Sequence, residues 1–104
     1  MVQLLEFKGF LSFLILHEIS YRPMAGDDLA KKIGSRKGVV LTPGTIYPAL
    51  KQLREKKLVV YKQFGRKKMY SMTKKGQQEL EKQYVLFSNY FFGLKNKIKR
   101  KNLS

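Results

Sequence analysis

Six apolar residues late in the chain, Leu80, Tyr84, Phe87, Phe91, Leu94 and Ile98, fall at intervals of 4, 3, 4, 3 and 4. This heptad-like rhythm predicts a long helix, capped at its start by Thr73, with one narrow apolar stripe. No further element lies downstream to cover the stripe. A partner helix explains the stripe best, most simply one from a second copy of the chain, and Leu80, Tyr84, Phe87, Phe91 and Leu94 are the expected contact positions. The basic segment from Lys95 to Ser104 is expected to fray.

The first segment poses a related packing problem. From Val2 to about Ser20, Leu4, Phe7, Leu11 and Leu14 recur at helical spacing, and Phe10, Phe13, Ile15 and Ile19 widen the stripe around much of the circumference. Such a helix must be covered on more than one side, by its own domain or by a second subunit, so Leu4, Phe7 and Leu11 join the expected interface. Tyr21-Arg22-Pro23 ends it, because the residue before proline is biased out of the helical region. A short second helix is predicted from Ala25 to Ile33, with Asp27 and Asp28 at the positive end of its dipole and Lys31 and Lys32 at the other. Gly34 is expected to stop it, leaving Ser35 to Val40 as a basic connector. Asp27 and Asp28 are adjacent on a helix, point about 100° apart and do not converge as a catalytic or metal-binding pair would.

Thr42 and Pro43 carry the clearest helix start in the chain, an N-cap followed by proline at the first helical position. Ile46, Leu50 and Leu53, with Ala49 beside them, give the helix from Thr42 to about Lys57 one buried face. Gly44, Thr45, Tyr47, Pro48, Lys51 and Arg54 are left for solvent or a ligand. Pro48 should kink the helix or loosen its first turn. Leu58 to Phe64 and Met69 to Thr73 read as two strands joined by a basic turn, Gly65-Arg66-Lys67-Lys68. Two strands are marginal alone, so the hairpin must pack on the helices. The fold class is thus mostly α with a small β-hairpin (α+β): a winged helix-turn-helix over residues 1–76, then a C-terminal dimerisation helix and basic tail over 77–104.

Charge narrows the choice of partner. The 104 residues carry 22 Lys and Arg against 7 Asp and Glu, a formal net charge of +15. Met1 to Ala30 is slightly acidic, at −2, and the rest holds +17. A balance this lopsided points to a polyanion, most commonly nucleic acid. Cysteine is absent, and a lone His17 cannot build a multi-histidine metal site; His17 is read as a hydrogen-bonded or dipole-stabilised structural residue. The longest apolar run, Phe10 to Leu16, falls well short of the roughly 18 residues a membrane span needs. With neither a nucleophile and base pair nor a metal set, an enzyme is the weakest reading, and no cofactor or membrane is expected. The chain reads as cytoplasmic, and nucleoid-associated when DNA-bound.

In a helix-turn-helix the second helix of the motif enters the major groove with its N-terminal residues toward the base edges. Here these are Thr42, Gly44, Thr45, Tyr47 and Lys51: free amides and the positive dipole end attract phosphate, Gly44 permits close approach, and the others can donate hydrogen bonds. Arg66, Lys67 and Lys68 on the hairpin tip would meet the backbone or the neighbouring minor groove. Tyr47 could equally pack its ring against the hairpin and present only its hydroxyl. Tyr70 and Met72 share a strand face and read as core. Phe87, Tyr90, Phe91 and Phe92 read as interface core, with a pocket for a hydrophobic small-molecule effector as the alternative.

The run Leu41-Thr42-Pro43-Gly44-Thr45-Ile46-Tyr47-Pro48-Ala49-Leu50, then Lys57-Leu58-Val59 and Gly65-Arg66-Lys67-Lys68-Met69-Tyr70-Ser71-Met72-Thr73-Lys74-Lys75-Gly76, resembles the PadR family of transcriptional regulators. The likeness covers roughly Ile15 to Gly76 and accounts for Pro48. It implies a homodimer that binds double-stranded operator DNA, usually as a repressor, with Thr42 to Lys51 on the recognition helix and Gly65 to Lys68 in the wing. It further implies dimerisation through the terminal helix with the N-terminal helix packed on it. One departure stands out: Asp27 takes the place of the family's usual aromatic after Gly26. A small basic protein that coats DNA without sequence preference is the remaining alternative, and the basic tail from Lys95 to Lys101 favours it.

Overall fold

The computed structural model describes the backbone of residues 7–37 and 41–103 and the side chains of 9–35 and 41–90. Leu4 and the connector from 38 to 40 lie outside the described residues, as do the side chains of Phe7, Phe91, Phe92, Leu94 and Ile98. The elements run α1 (Phe7–Ile19), β1 (Met24–Ala25), α2 (Gly26–Lys37), α3 (Pro43–Glu55), β2 (Val59–Phe64), β3 (Lys67–Met72) and α4 (Lys74–Leu103). This is the winged helix-turn-helix order expected from the sequence, with one strand added. Met24 and Ala25, extended after Pro23, pair with Tyr70 and Met69, so the hairpin grows into an antiparallel sheet of order β1-β3-β2.

Helix α1 solves its packing problem within the chain. It touches α2, α3, β3 and α4, and Leu11, Phe13, Ile15, Leu16 and Ile19 are all buried. Ile15, Leu16, Leu29, Ile33, Ile46, Leu50 and Val59 make the innermost core, each contributing roughly 1.5–3 kcal/mol by leaving water. Leu11 and Leu80, expected at a subunit interface, are only 3% exposed in the single chain. They are core residues with no surface left for a partner. Leu80 and Phe87 also show that the first part of the α4 stripe needs no second copy: α1 covers it, with Phe13 4.6 Å and Phe10 6.1 Å from Phe87 between ring centroids. His17 and Tyr84 lock the same two helices through a 2.6 Å hydrogen bond between the imidazole Nδ1 and the phenol.

Three local expectations are corrected, and Pro48 is accommodated within its helix. Helix α2 does not stop at Gly34 but runs to Lys37. An interior glycine costs about 1 kcal/mol, less than the burial of Leu29 and Ile33 returns. Helix α3 is continuous through Pro48. The bond that proline lacks would end on the carbonyl of Gly44, an exposed first-turn residue that water can serve. The same helix ends at Glu55, short of Lys57, with the Lys57 amide donating to Arg54 and the Leu58 amide to Leu53, both at 2.9 Å. This Schellman closure places Lys57 in the left-handed region at φ 64°. Finally, α4 remains helical to Leu103 where fraying was expected from Lys95. Thr73 does cap it, accepting from the Gly76 amide at 3.0 Å and donating to the Lys57 carbonyl at 2.7 Å.

Candidate nucleic-acid interface

The start of α3 presents an unusual set of backbone groups. Thr42 occupies the N-cap position in an extended conformation, yet its side chain caps no amide and instead lies 3.4 Å from the Thr45 hydroxyl. Its carbonyl accepts from the amides of Thr45 and Ile46 at 3.0 and 3.1 Å. Pro43 has no N–H, so within the first turn the Gly44 amide keeps no helical partner. A Cβ on Gly44 would meet only the Thr42 hydroxyl, at an ordinary 3.7 Å. The fold itself therefore does not demand a glycine here, which is the pattern expected where something outside the chain approaches closely.

Tyr47 answers both readings at once. The end of its ring lies across Gly26 at the start of α2, where any Cβ would come within 2.7 Å of it, while 41% of the residue stays exposed. It packs on α2, and its phenol also lies close enough to Tyr70 of β3 to raise that group's titration. Together with Ala25, Asp27, Arg66, Lys67 and Lys68 it lines a cleft of about 370 Å³ between the α3 start and the β3 end of the wing. Asp27 is the one acidic group on that lining.

The basic tip divides into two parts. The turn is only Gly65-Arg66, and Lys67 and Lys68 are already strand residues paired with Phe64 and Gln63. Alternation along β3 puts Lys68 on the side of buried Tyr70, facing the helices. There its Nζ sits 4.9 Å above the Tyr61 ring, and the Arg54 guanidinium from α3 sits 5.2 Å from the same ring. Tyr61 also meets Tyr70 across the ladder at 5.6 Å. Cations on an aromatic ring are worth about 0.5–1 kcal/mol each where water reaches them. The cluster ties the wing to α3.

The sequence leaves Arg54 for solvent or a ligand and does not single out Tyr61, although Arg54 continues the Tyr47-Lys51 face at helical spacing and Tyr61 shares its strand face with Tyr70. Burial pushes the Tyr70 phenol above its ordinary 10.0, with Tyr47 adding to the shift and Arg54 opposing it. A raised phenol in the folded state holds its proton through neutral pH, so its contribution to stability is lost only as pH climbs through and past 10. Lys51 is exposed on the outer face of α3, and Arg66 and Lys67 are exposed on the wing.

Among the described residues no group of three or more His, Cys, Asp or Glu could hold a metal ion, and no helix is long and apolar enough to cross a membrane. No curated protein matches the chain. Among solved structures it is similar to a PadR-like transcriptional regulator from Bacillus cereus, with 30% identity, 88% of this chain and 95% of that one covered, and a TM-score of 0.71. It is also similar to a PadR-like transcription factor from Bacteroides fragilis, with 22% identity, 86% and 90% covered, and a TM-score of 0.73. The smu.1704 protein of Streptococcus mutans shares its fold, with 22% identity, 86% of both chains covered, and a TM-score of 0.74. The profile of the transcriptional regulator PadR-like family matches residues 15–82, more than half of the chain. The helix-turn-helix with its three-stranded sheet, the cleft between Tyr47 and the wing, and this match lead to one conclusion: the chain belongs to the PadR-like family of transcriptional regulators.

Proposed function

We propose that the protein is a homodimeric repressor that binds a pseudo-palindromic operator, one α3 per half-site, with half-sites about one helical turn (roughly 34–36 Å) or a multiple apart. The observation that carries this reading is the convergence, on one cleft, of Tyr47 from α3 with Arg66 and Lys67 of the wing. Thr45, Tyr47 and Lys51 would face base edges or phosphates, and the Gly44 amide a phosphate oxygen. The dimer would form through the part of α4 that α1 leaves open, where Leu86 and Tyr90 are about half exposed. Residues 1–76 would then act as the reading head and 77–104 as the dimerisation arm.

The test is a mobility-shift titration at two salt concentrations, using a duplex recovered by the protein from a random pool and a scrambled duplex. Preference for the recovered duplex supports operator reading. Equal affinity for both would make the protein a DNA-coating one.

Lys67→Ala should weaken both duplexes by a similar factor and lower the slope of log affinity against log salt by about one unit. An unchanged slope would remove Lys67 from the phosphate contacts. Gly26→Ala tests the other wall of the cleft. The new methyl would collide with the Tyr47 ring tip, a movable group, so the melting temperature should change by only a few degrees. Displacing that ring should cost the recovered duplex about 1–3 kcal/mol of its advantage over the scrambled one. An undiminished preference would leave Tyr47 as packing only.

A further inference from the structure

We propose that Phe64 is an apolar wedge, carried by the wing into the DNA minor groove beside each half-site, where its ring stacks on a base step and partly opens it. The inference rests on the DNA-binding reading above and adds a contact that no basic residue could make.

Phe64 is the last residue of β2 and is 61% exposed. Strand alternation places it on the outer face of the hairpin with Val60 and Lys62, opposite Val59 and Tyr61. No aromatic ring among the described residues contacts it. A phenyl ring held in water at the far end of a charged hairpin gives the fold nothing that a polar residue would not. Its cross-strand partner is Lys67, which lines the cleft beside Tyr47. The ring is therefore one strand away from the surface assigned to DNA, with Lys67 as its ladder partner, Lys62 on the same strand face and Arg66 in the adjoining turn.

The tip is also narrow and rigid. Only Gly65 and Arg66 join the strands, Gly65 takes φ +60°, and the Gln63 side-chain amide donates to the Gly65 carbonyl at 3.2 Å. The minor groove, about 6 Å wide, is too narrow for the two-stranded ribbon itself, so only side chains carried at the tip can enter it. Arg66 and Lys67 can meet the phosphates lining the groove while the uncharged ring enters between base pairs. Minor-groove proteins insert such apolar side chains to kink the duplex, and flexible pyrimidine–purine steps yield most readily.

The experiment uses the full chain and a duplex recovered by it from a random pool, with 2-aminopurine replacing adenines just outside each half-site. Wild type should raise the 2-aminopurine fluorescence on binding, because an unstacked base is less quenched. Phe64→Ala should bind about tenfold more weakly or worse, leave the salt slope unchanged because no charge is removed, and abolish the fluorescence rise. Phe64→Trp should restore both. The thermal midpoint of each variant should match wild type, as the ring is exposed.

The wedge is overturned if Phe64→Ala binds and unstacks the duplex like wild type, or if its loss of affinity comes with a smaller salt slope. A changed mass of Phe64→Ala in light scattering would also overturn it, since Phe64 would then meet a second protein chain. If wild type selects no duplex from the pool, the DNA-binding reading falls and the wedge with it. Binding by wild type with an indifferent Phe64→Ala defeats the wedge alone.

Discussion

Leu86→Glu combined with Tyr90→Glu should split the proposed dimer into monomers and weaken the recovered duplex by roughly 10²–10⁴-fold, the range lost when two linked binding events become independent. The two residues lie four apart on α4 and so share one strip of its surface. They are 47% and 50% exposed. The adjoining strip is already taken: Phe87 packs on Phe10 and Phe13, and Tyr84 is hydrogen-bonded to His17. A partner helix seated against Leu86 and Tyr90 would have to bury the new carboxylates unpaired, at a cost of several kcal/mol each. In the single chain they remain in water, so circular dichroism and the melting temperature should change little. Phe87→Glu is the wrong reagent for this purpose, because it would damage the α1–α4 contact inside each chain. Light scattering reads the outcome directly. A double variant that keeps the mass of a dimer would place the interface elsewhere.

The apolar spacing in the sequence was sufficient to reveal every long helix, because burial on one face leaves a period in the residues themselves. Ile46, Leu50 and Leu53 are the buried face of α3 as expected, and Tyr70 is core. What spacing does not carry is which surface meets which. The Leu80 to Phe87 stripe reads the same whether α1 or a second copy covers it, and Leu11 looks like an interface residue until the domain closes around it. Strand β1 has two residues and no period at all; it exists only because β3 offers an unpaired edge. Lys68 and Arg54 belong to a different class. Composition reads Lys68 as a phosphate ligand and leaves Arg54 for solvent or a ligand; the geometry sets both against the Tyr61 ring, while Lys68 stays exposed and lines the cleft. Parity along β3, with Lys68 in step with Tyr70, was the available signal. In the cleft, Tyr47 was legible as part of the helix start that Thr42 and Pro43 mark. The placement of Asp27 on the same lining was not, since it depends on α2 starting beside the wing.

Gly76→Ala should destabilise the fold by about 2–3 kcal/mol, toward the upper end of what overpacking costs, and lower the melting temperature by roughly 10–20 °C. Gly76 lies in the first turn of α4, pressed against the strand entry. A Cβ there would overlap the Leu58 carbonyl oxygen and come within 2.8 Å of the Met72 Cγ. Met72 can turn aside, but the carbonyl cannot. It accepts the Thr73 amide at 3.0 Å, and the neighbouring Lys57 carbonyl accepts the Thr73 hydroxyl at 2.7 Å. Moving either would loosen the α4 cap and the Schellman closure of α3 together. Alanine gains about 1 kcal/mol over glycine in a helix interior, so the clash must exceed that before any loss is seen. Gly9→Ala isolates the opposing effect, since a Cβ at Gly9 in α1 meets nothing within 4 Å. It should stabilise by up to about 1 kcal/mol. Thermal denaturation of the two variants beside wild type therefore tests contact against propensity: shifts of opposite sign are expected, and a neutral Gly76→Ala would mean that α4 does not dock on the Leu58 carbonyl in solution.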